Sequence, residues 1–467
     1  MTAAPTAAAT TAVESQGLAA VPRDAPGPRG WPLVGSAGEF RANPLALLTR
    51  SIQQHGDVVR LNLVRTAFIV NHPDGVRHVL HDHHLNYKKN FVYDRLQSML
   101  GNGLLTSKGD FWKRQRKLAQ PAFHRQRIKG FAELMATHTA RMLERWKAQA
   151  ASRKPFDVHH EMMRLTFTII GEALFSLNLE EGAAEVGRAL HDALEIQQRR
   201  FTAFFIPPKA LPTPDNLRFA ASMKVLDGVV EDIIQRRRAT SDVGNDLLGM
   251  LMAARDEETG EAMDNRQLRD EVMTMVLAGH ETTANALSWV FYLLSKNPAV
   301  ARRVQQEARE VLQGRAPVME DVPNLRYAQQ VIEESMRLYP PAWIIGREAV
   351  EDDVIQGRRI PKGSSILLVP FTTHRHKDFW DNPEGFDPDR FTPEQSQGRH
   401  RYAYFPFAAG PRMCIGDGFA RMEMPIILAM VAQRYSLQLE PGFVPELDPV
   451  VTLRPGNGIQ VTAKDLV

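Results

Sequence analysis

The sequence predicts a mainly α-helical fold with small β-sheets at its edges, and three observations predict it. From about Pro73 to Pro340 apolar residues recur at helical spacing, broken by Gly/Pro turns. Short β-like runs, residues 58–63, 67–71 and about 347–369, flank that body. Between Asp264 and Asn297–Pro298 lies a stretch with almost no charge in its middle, residues 276–288, which reads as a helix through the core. No repeat of fixed period is present.

In chain order, residues 1–25 are Ala/Thr/Pro-rich, without periodicity, and read as a disordered tail. The first positive charge is Arg23, so the tail lacks the basic start of a secretory signal. Residues 26–467 read as one domain, opened by the turn-rich stretch PGPRGWPLVG. The loop 207–214 (PPKALPTP) separates two helical stretches, and a last helix covers about 416–435 before β-like segments finish the chain.

The 467 residues hold 57 Lys plus Arg against 54 Asp plus Glu, a net charge of +3, with 43% hydrophobic residues. That composition excludes a disordered chain and gives no argument for nucleic acid. No run of about 20 apolar residues occurs, so no transmembrane anchor is expected. The one cysteine, Cys414, excludes an internal disulfide, an iron–sulfur cluster and a zinc finger. It points to a reducing compartment, hence the cytoplasm.

Asp264 is the expected N-cap of the central helix, which runs about 48 Å to Asn297. Its middle reads Ala278-Gly279-His280-Glu281-Thr282-Thr283. Glycine weakens a helix interior, and a threonine hydroxyl can bond the carbonyl four residues back, here Ala278. A loosened ladder beside an acid and an alcohol makes a groove able to hold water. The plain alternative is a tolerated glycine and an acid facing solvent. A zinc-protease HExxH is excluded, because position 284 is Ala284.

The cysteine sits in Phe407-Ala408-Ala409-Gly410-Pro411-Arg412-Met413-Cys414-Ile415-Gly416, just before the last helix. A lone cysteine is usually a small buried hydrophobe. Here Gly410 and Gly416 would let backbone pass close to a flat object, and Phe407 would pack beside the sulfur. Helix-start amides would stabilise a thiolate. Arg412 offers a cation for a carboxylate. Such a loop suits an axial thiolate on haem iron.

The loop matches every defining position of the FxxGxRxCxG signature and resembles the cytochrome P-450 superfamily over about Pro26 to the C-terminus. The resemblance implies haem b between the central helix and the cysteine-loop helix, with Cys414 as metal ligand. Glu334-Ser335-Met336-Arg337 matches the family's ExxR helix, and Arg390 of Pro388-Asp389-Arg390-Phe391 is the implied third member of a structural network. Trp112 and Arg116 match its WxxxR helix and would both face a haem propionate, with Arg347 and Arg412 as further propionate cations. The central helix matches [AG]GxxT. This implies an O₂-dependent monooxygenase in which Thr282 and Glu281 pass protons as the O–O bond breaks. A haem-thiolate isomerase or peroxygenase, and a haem-binding sensor, are the alternatives.

No flavin or nicotinamide module fits in the remaining chain. Electrons, ultimately from NAD(P)H, are therefore expected through a ferredoxin or flavodoxin with its reductase, docking near Lys113, Arg114 and Lys117 on a monomer. The family's substrate-contact positions fall here on Phe91, Leu100, Phe204, Leu277, Ala278, Ile344, Val451 and Thr452. Their apolar character points to a hydrophobic substrate, a fatty acid or a terpenoid. His78, His81, His83 and His84 read as an exposed helix end with no second metal, since only Asp74 and Asp82 lie close in sequence.

Overall fold

The computed structural model describes residues 22–466 apart from residues 33, 64, 125–128, 177–182, 203–206, 209, 240–245 and 256–259. Helices dominate, and the longest, Asn265–Lys296, runs through the interior. Asp264 caps it as its sequence implies, its carboxylate accepting the Gln267 amide at 2.7 Å. Asn297 and Pro298 end it and start the next helix, Pro298–Leu312.

The central helix lies chiefly against the helix Val158–Phe175, and also against Arg326–Leu338 and the final helix Asp417–Arg434. One apolar core joins these elements. Gly279 belongs to this packing: a Cβ there would come within 2.6 Å of Ile170 Cδ1. The glycine thus serves close helix approach in addition to any loosening of its own helix.

The largest sheet has five strands in the order Val58–Asn62, Thr66–Val70, Ser365–Leu368, Ile345–Ala349, Tyr87–Lys88. The second and third strands are parallel and the other neighbours antiparallel. In Ile345–Ala349 alternate residues are buried, and Arg347 shares the buried face with Ile345 and Ala349. A cation on a buried strand face requires a purpose.

Residues 1–21 of the expected tail lie outside the described residues. Residues 23 and 25 depart from that reading. The Arg23 amide donates to Gly357 O at 2.9 Å, Arg359 N donates back to Arg23 O at 2.9 Å, and Ala25 is buried. No helix among the described residues is long and apolar enough to cross a membrane.

Candidate haem-thiolate site

The cysteine loop folds back on itself. Cys414 N donates to Phe407 O at 2.9 Å, and Met413 N donates to Gly410 O at 3.0 Å. Phe407 packs against the main core, with the Arg421 guanidinium 5.0 Å above its ring. Protein surrounds the Cys414 sulfur, yet its surface is accessible, so it faces an internal cleft. Burial pushes the thiol pKa up. Amides of Gly416 and Asp417 and the charge of Arg116 pull the other way, while Asp417's own charge opposes them.

The two loop glycines have other reasons than the flat object the sequence suggests. Gly410 has φ +67°, and a Cβ there would lie 1.8 Å from Leu80 O. What passes close is the neighbouring turn, His78–Asp82. A Cβ on Gly416 would meet only the cysteine sulfur, at an ordinary 3.9 Å.

Four cations gather beside the loop. Arg116 Nη1 donates to Met413 O at 2.8 Å. Arg412 Nη1 donates to Ser107 O at 3.0 Å, and its guanidinium lies 3.9 Å over the Trp112 ring. Trp112 and Arg116 thus engage the loop's arginine and a loop carbonyl. Arg347 Nη1 reaches Gly346 O at 2.9 Å. The fourth, Lys89, escaped sequence reasoning; it is buried, and its ammonium donates to the carbonyls of Leu104 and Leu105. Burial and then the charge of Arg347 lower Arg412 to about 10. Burial, Arg412 and Arg347 likewise hold Lys89 well below its ordinary value. Among the described residues none of these four makes a carboxylate ion pair. Such a cluster is costly without an anion to complete it.

On the central helix Thr282 Oγ1 donates to Ala278 O at 2.6 Å, the bond expected from its spacing. Ala278 is exposed and Thr282 partly so, although Leu277, Thr283 and Ala284 beside them are buried. One turn of a core helix therefore opens to a cleft. Glu281 does not share it. Its Oε1 accepts from Thr452 Oγ1 at 2.7 Å, and Thr452 in turn accepts from Asn285 Nδ2 at 3.0 Å. Burial raises the Glu281 pKa, and the Thr452 bond partly opposes that. The expected acid–alcohol pair is thus adjacent in sequence but engaged on different faces.

The substrate positions divide. Ala278, Ile344, Val451 and Phe91 keep accessible surface, and Arg65 and Arg95 lie 5.0 and 5.5 Å over the Phe91 ring. Leu100, Leu277 and Thr452 do not; they are packed inside, because Met99 and Leu100 join the main core and Thr452 serves Glu281. Phe204 lies outside the described residues.

The ExxR pair forms as its spacing implies. Arg337 Nε and Nη2 donate to the two Glu334 oxygens at 2.6 and 2.8 Å, with both residues at 0% exposure. Arg390 Nε stands 3.5 Å from Glu334, and the Asp387 amide donates to the same carboxylate at 2.9 Å.

These residues fit a haem. An accessible thiol, an accessible turn of core helix and buried or half-buried cations without carboxylate partners among the described residues suit a flat macrocycle with an iron centre and anionic arms.

Comparisons with known proteins agree. A sequence-family model described as Cytochrome P450 matches residues 25–462. Cyclooctatin synthase of Streptomyces melanosporofaciens is 38% identical over 92% of this chain and 93% of its own. Pentalenene oxygenase of Streptomyces avermitilis is 34% identical over 89% and 90%. A crystal structure of the cytochrome P450DA heme domain superposes with a TM-score of 0.87 at 25% identity, covering 96% of this chain and 99% of that one. The chain therefore belongs to the cytochrome P450 family, with a cysteine-ligated haem and O₂ as its reagents.

Proposed function

We propose that this monooxygenase oxygenates a terpenoid, hydroxylating or epoxidising an unactivated position. Electrons come ultimately from NAD(P)H through a separate ferredoxin or flavodoxin and its reductase, to a cytoplasmic monomer. The observation that carries the oxygenase reading is the accessible Ala278–Thr282 turn in a core helix, in a molecule whose single thiol also faces a cleft. The terpenoid reading draws support from relatives named cyclooctatin synthase, cyclooctat-9-en-7-ol 5-monooxygenase and pentalenene oxygenase. Glu281 and Thr452 satisfy each other, so the named pocket positions offer apolar surface, which suits a hydrocarbon skeleton.

When bound, the haem supplies O₂ activation and C–H oxygenation. The residues then divide the remaining work. Cys414 would be the thiolate ligand, its charge eased by the Gly416 and Asp417 amides. Arg116, Arg347, Arg412 and Lys89 would balance the anionic arms. Thr282 keeps its own proton on Ala278 O and offers Oγ1 lone pairs to the cleft, where they orient a water for proton delivery. Glu281, an acid whose pKa burial raises, sits one residue away. Passage of a proton from it to Thr282 requires the carboxyl to leave Thr452, or a water to bridge them.

Titration of purified holoprotein with terpenes, fatty acids, steroids and macrolides tests this reading through the low- to high-spin absorbance change. Terpenes are expected to give the largest change at the lowest concentration. A response confined to fatty acids would overturn the substrate class. Peroxide-driven turnover exceeding that with a ferredoxin couple would overturn the electron route.

A further inference from the structure

The histidine group at residues 78–84 lies outside the haem site and takes no part in the proposed reaction. Sequence proximity offers it only Asp74 and Asp82 as carboxylates. The fold supplies another. His78 Nε2 lies 2.8 Å from Asp353 Oδ2, across 275 residues of sequence. The strand pair Tyr87–Lys88 with Ala349–Glu348, and a Val350 N to Asn86 O bond of 2.8 Å, hold the two segments together.

The local helix geometry brings in His83. Residues His78–Asp82 form a π-helical turn, closed by His83 N donating to His78 O at 2.8 Å. In an α-helix, residues five apart point about 140° from each other. The wider π turn places them over one another, and such turns recur at functional sites. Here the two imidazoles stack with centroids 4.0 Å apart and planes 15° from parallel.

We propose that His78, His83 and Asp353 form a binding site for a divalent transition metal of the zinc class, with solvent completing the coordination. One ligand atom from each already lies within 4.8 Å of the others. Tetrahedral zinc with bonds of 2.0–2.1 Å needs ligand atoms about 3.4 Å apart, so the His78–Asp353 pair opens slightly from 2.8 Å while His83 moves in by at most about 1.4 Å. His83 can make that movement: it is exposed, and its ring holds no hydrogen bond among the described residues. Two imidazoles and a carboxylate suit zinc, nickel or copper better than calcium or magnesium.

The carboxylate is held as a ligating carboxylate needs to be. Tyr87 Oη donates to Oδ2 at 2.6 Å and Val354 N to Oδ1 at 2.7 Å. A metal entering between His78 and Asp353 displaces the proton they share. Leu80, in the same turn, backs the cysteine loop at Gly410, so the ion would fasten the hairpin 353–360 to the element behind the haem ligand.

The test uses full-length holoprotein treated with EDTA, then titrated with Zn²⁺ by calorimetry and with Co²⁺ by absorbance. One equivalent is expected to bind. The melting temperature should rise by about 3 °C at a hundredfold excess over Kd. H83A should lower affinity at least about tenfold with an unchanged haem spectrum, and D353N should do the same. H84A, one position on, should bind like the parent. Equal binding by parent and H83A would overturn the site, as would a loss in H84A matching that in H83A.

Discussion

Glu334 and Glu281 are both buried acids on core helices, and the fold treats them oppositely. Glu334 receives a two-pronged Arg337, the Asp387 amide and Arg390. Arg337 sends its remaining donors to His374 O, Pro383 O and Gly385 O at 3.1, 2.6 and 2.8 Å. Nothing in that network has a reason to move. Among the described residues Glu281 receives one hydroxyl, from Thr452, and no cation bonds to it. The first arrangement fixes geometry; the second raises the pKa of an acid that we propose serves proton delivery. A buried charge with full partners is scaffold, whereas a buried acid with one neutral partner is available for chemistry.

Removing a partner on the fixed side should have the largest effect. Arg337→Ala leaves the buried Glu334 with only the Asp387 amide and the more distant Arg390, and losing the bidentate partner of a buried carboxylate costs about 3–5 kcal/mol. The expected outcome is little or no folded holoprotein, read from the denaturation midpoint and haem content. A variant as stable as its parent would erase the contrast.

A third buried acid, Glu423 on the final helix, sharpens it. Among the described residues Thr283 is the one polar side chain acting on its carboxyl, and burial raises its pKa to about 8. Because the folded state holds this proton and the unfolded chain releases it near 4.5, the group's contribution to stability falls as pH rises from about 5 to 8. At about 1.4 kcal/mol per unit over about three units, the window is on the order of 4 kcal/mol. Glu423→Gln should remove that slope and be the more stable protein at pH 8, as measured by denaturant midpoints across pH.

On the reactive side, Thr282→Ala removes the hydroxyl that we propose orients water. Turnover should fall about 10²-fold while the substrate-induced spectral Kd stays unchanged. Equal losses in both would make Thr282 a binding residue. Thr452→Val leaves Glu281 without its one donor and should cost about 1–3 kcal/mol in stability. If product formation per electron also changes, the carboxyl orientation controls proton supply. The smallest effect concerns the surface. Lys113 and Lys117 are exposed, so reduction by an acidic ferredoxin should slow severalfold as salt rises. Indifference to ionic strength would place the partner elsewhere.

What the sequence revealed follows the range of each interaction. The Asp264 cap, the Thr282–Ala278 bond and the Glu334–Arg337 pair span three or four residues, and spacing alone implies them. Glu281 meets Thr452 across 171 residues, and His78 meets Asp353 across 275, so neither partner is visible in local pattern. The close approach at Gly410 was legible but not its partner, Leu80 O, whereas Gly279 read only as a weakened helix interior and Ile170 beside it was not foreseen. Lys89 gave no signal, because its meaning comes only from Arg347 and Arg412 converging on it.

The central claim is that the Cys414 sulfur is the thiolate ligand of the iron. Absorbance of the reduced, carbon-monoxide-bound protein tests it most directly. The parent should show the red-shifted thiolate band, and Cys414→His should lose it while keeping a folded, haem-containing protein. A band at the ordinary imidazole position in the folded parent, or a thiolate band surviving in Cys414→His, would contradict it.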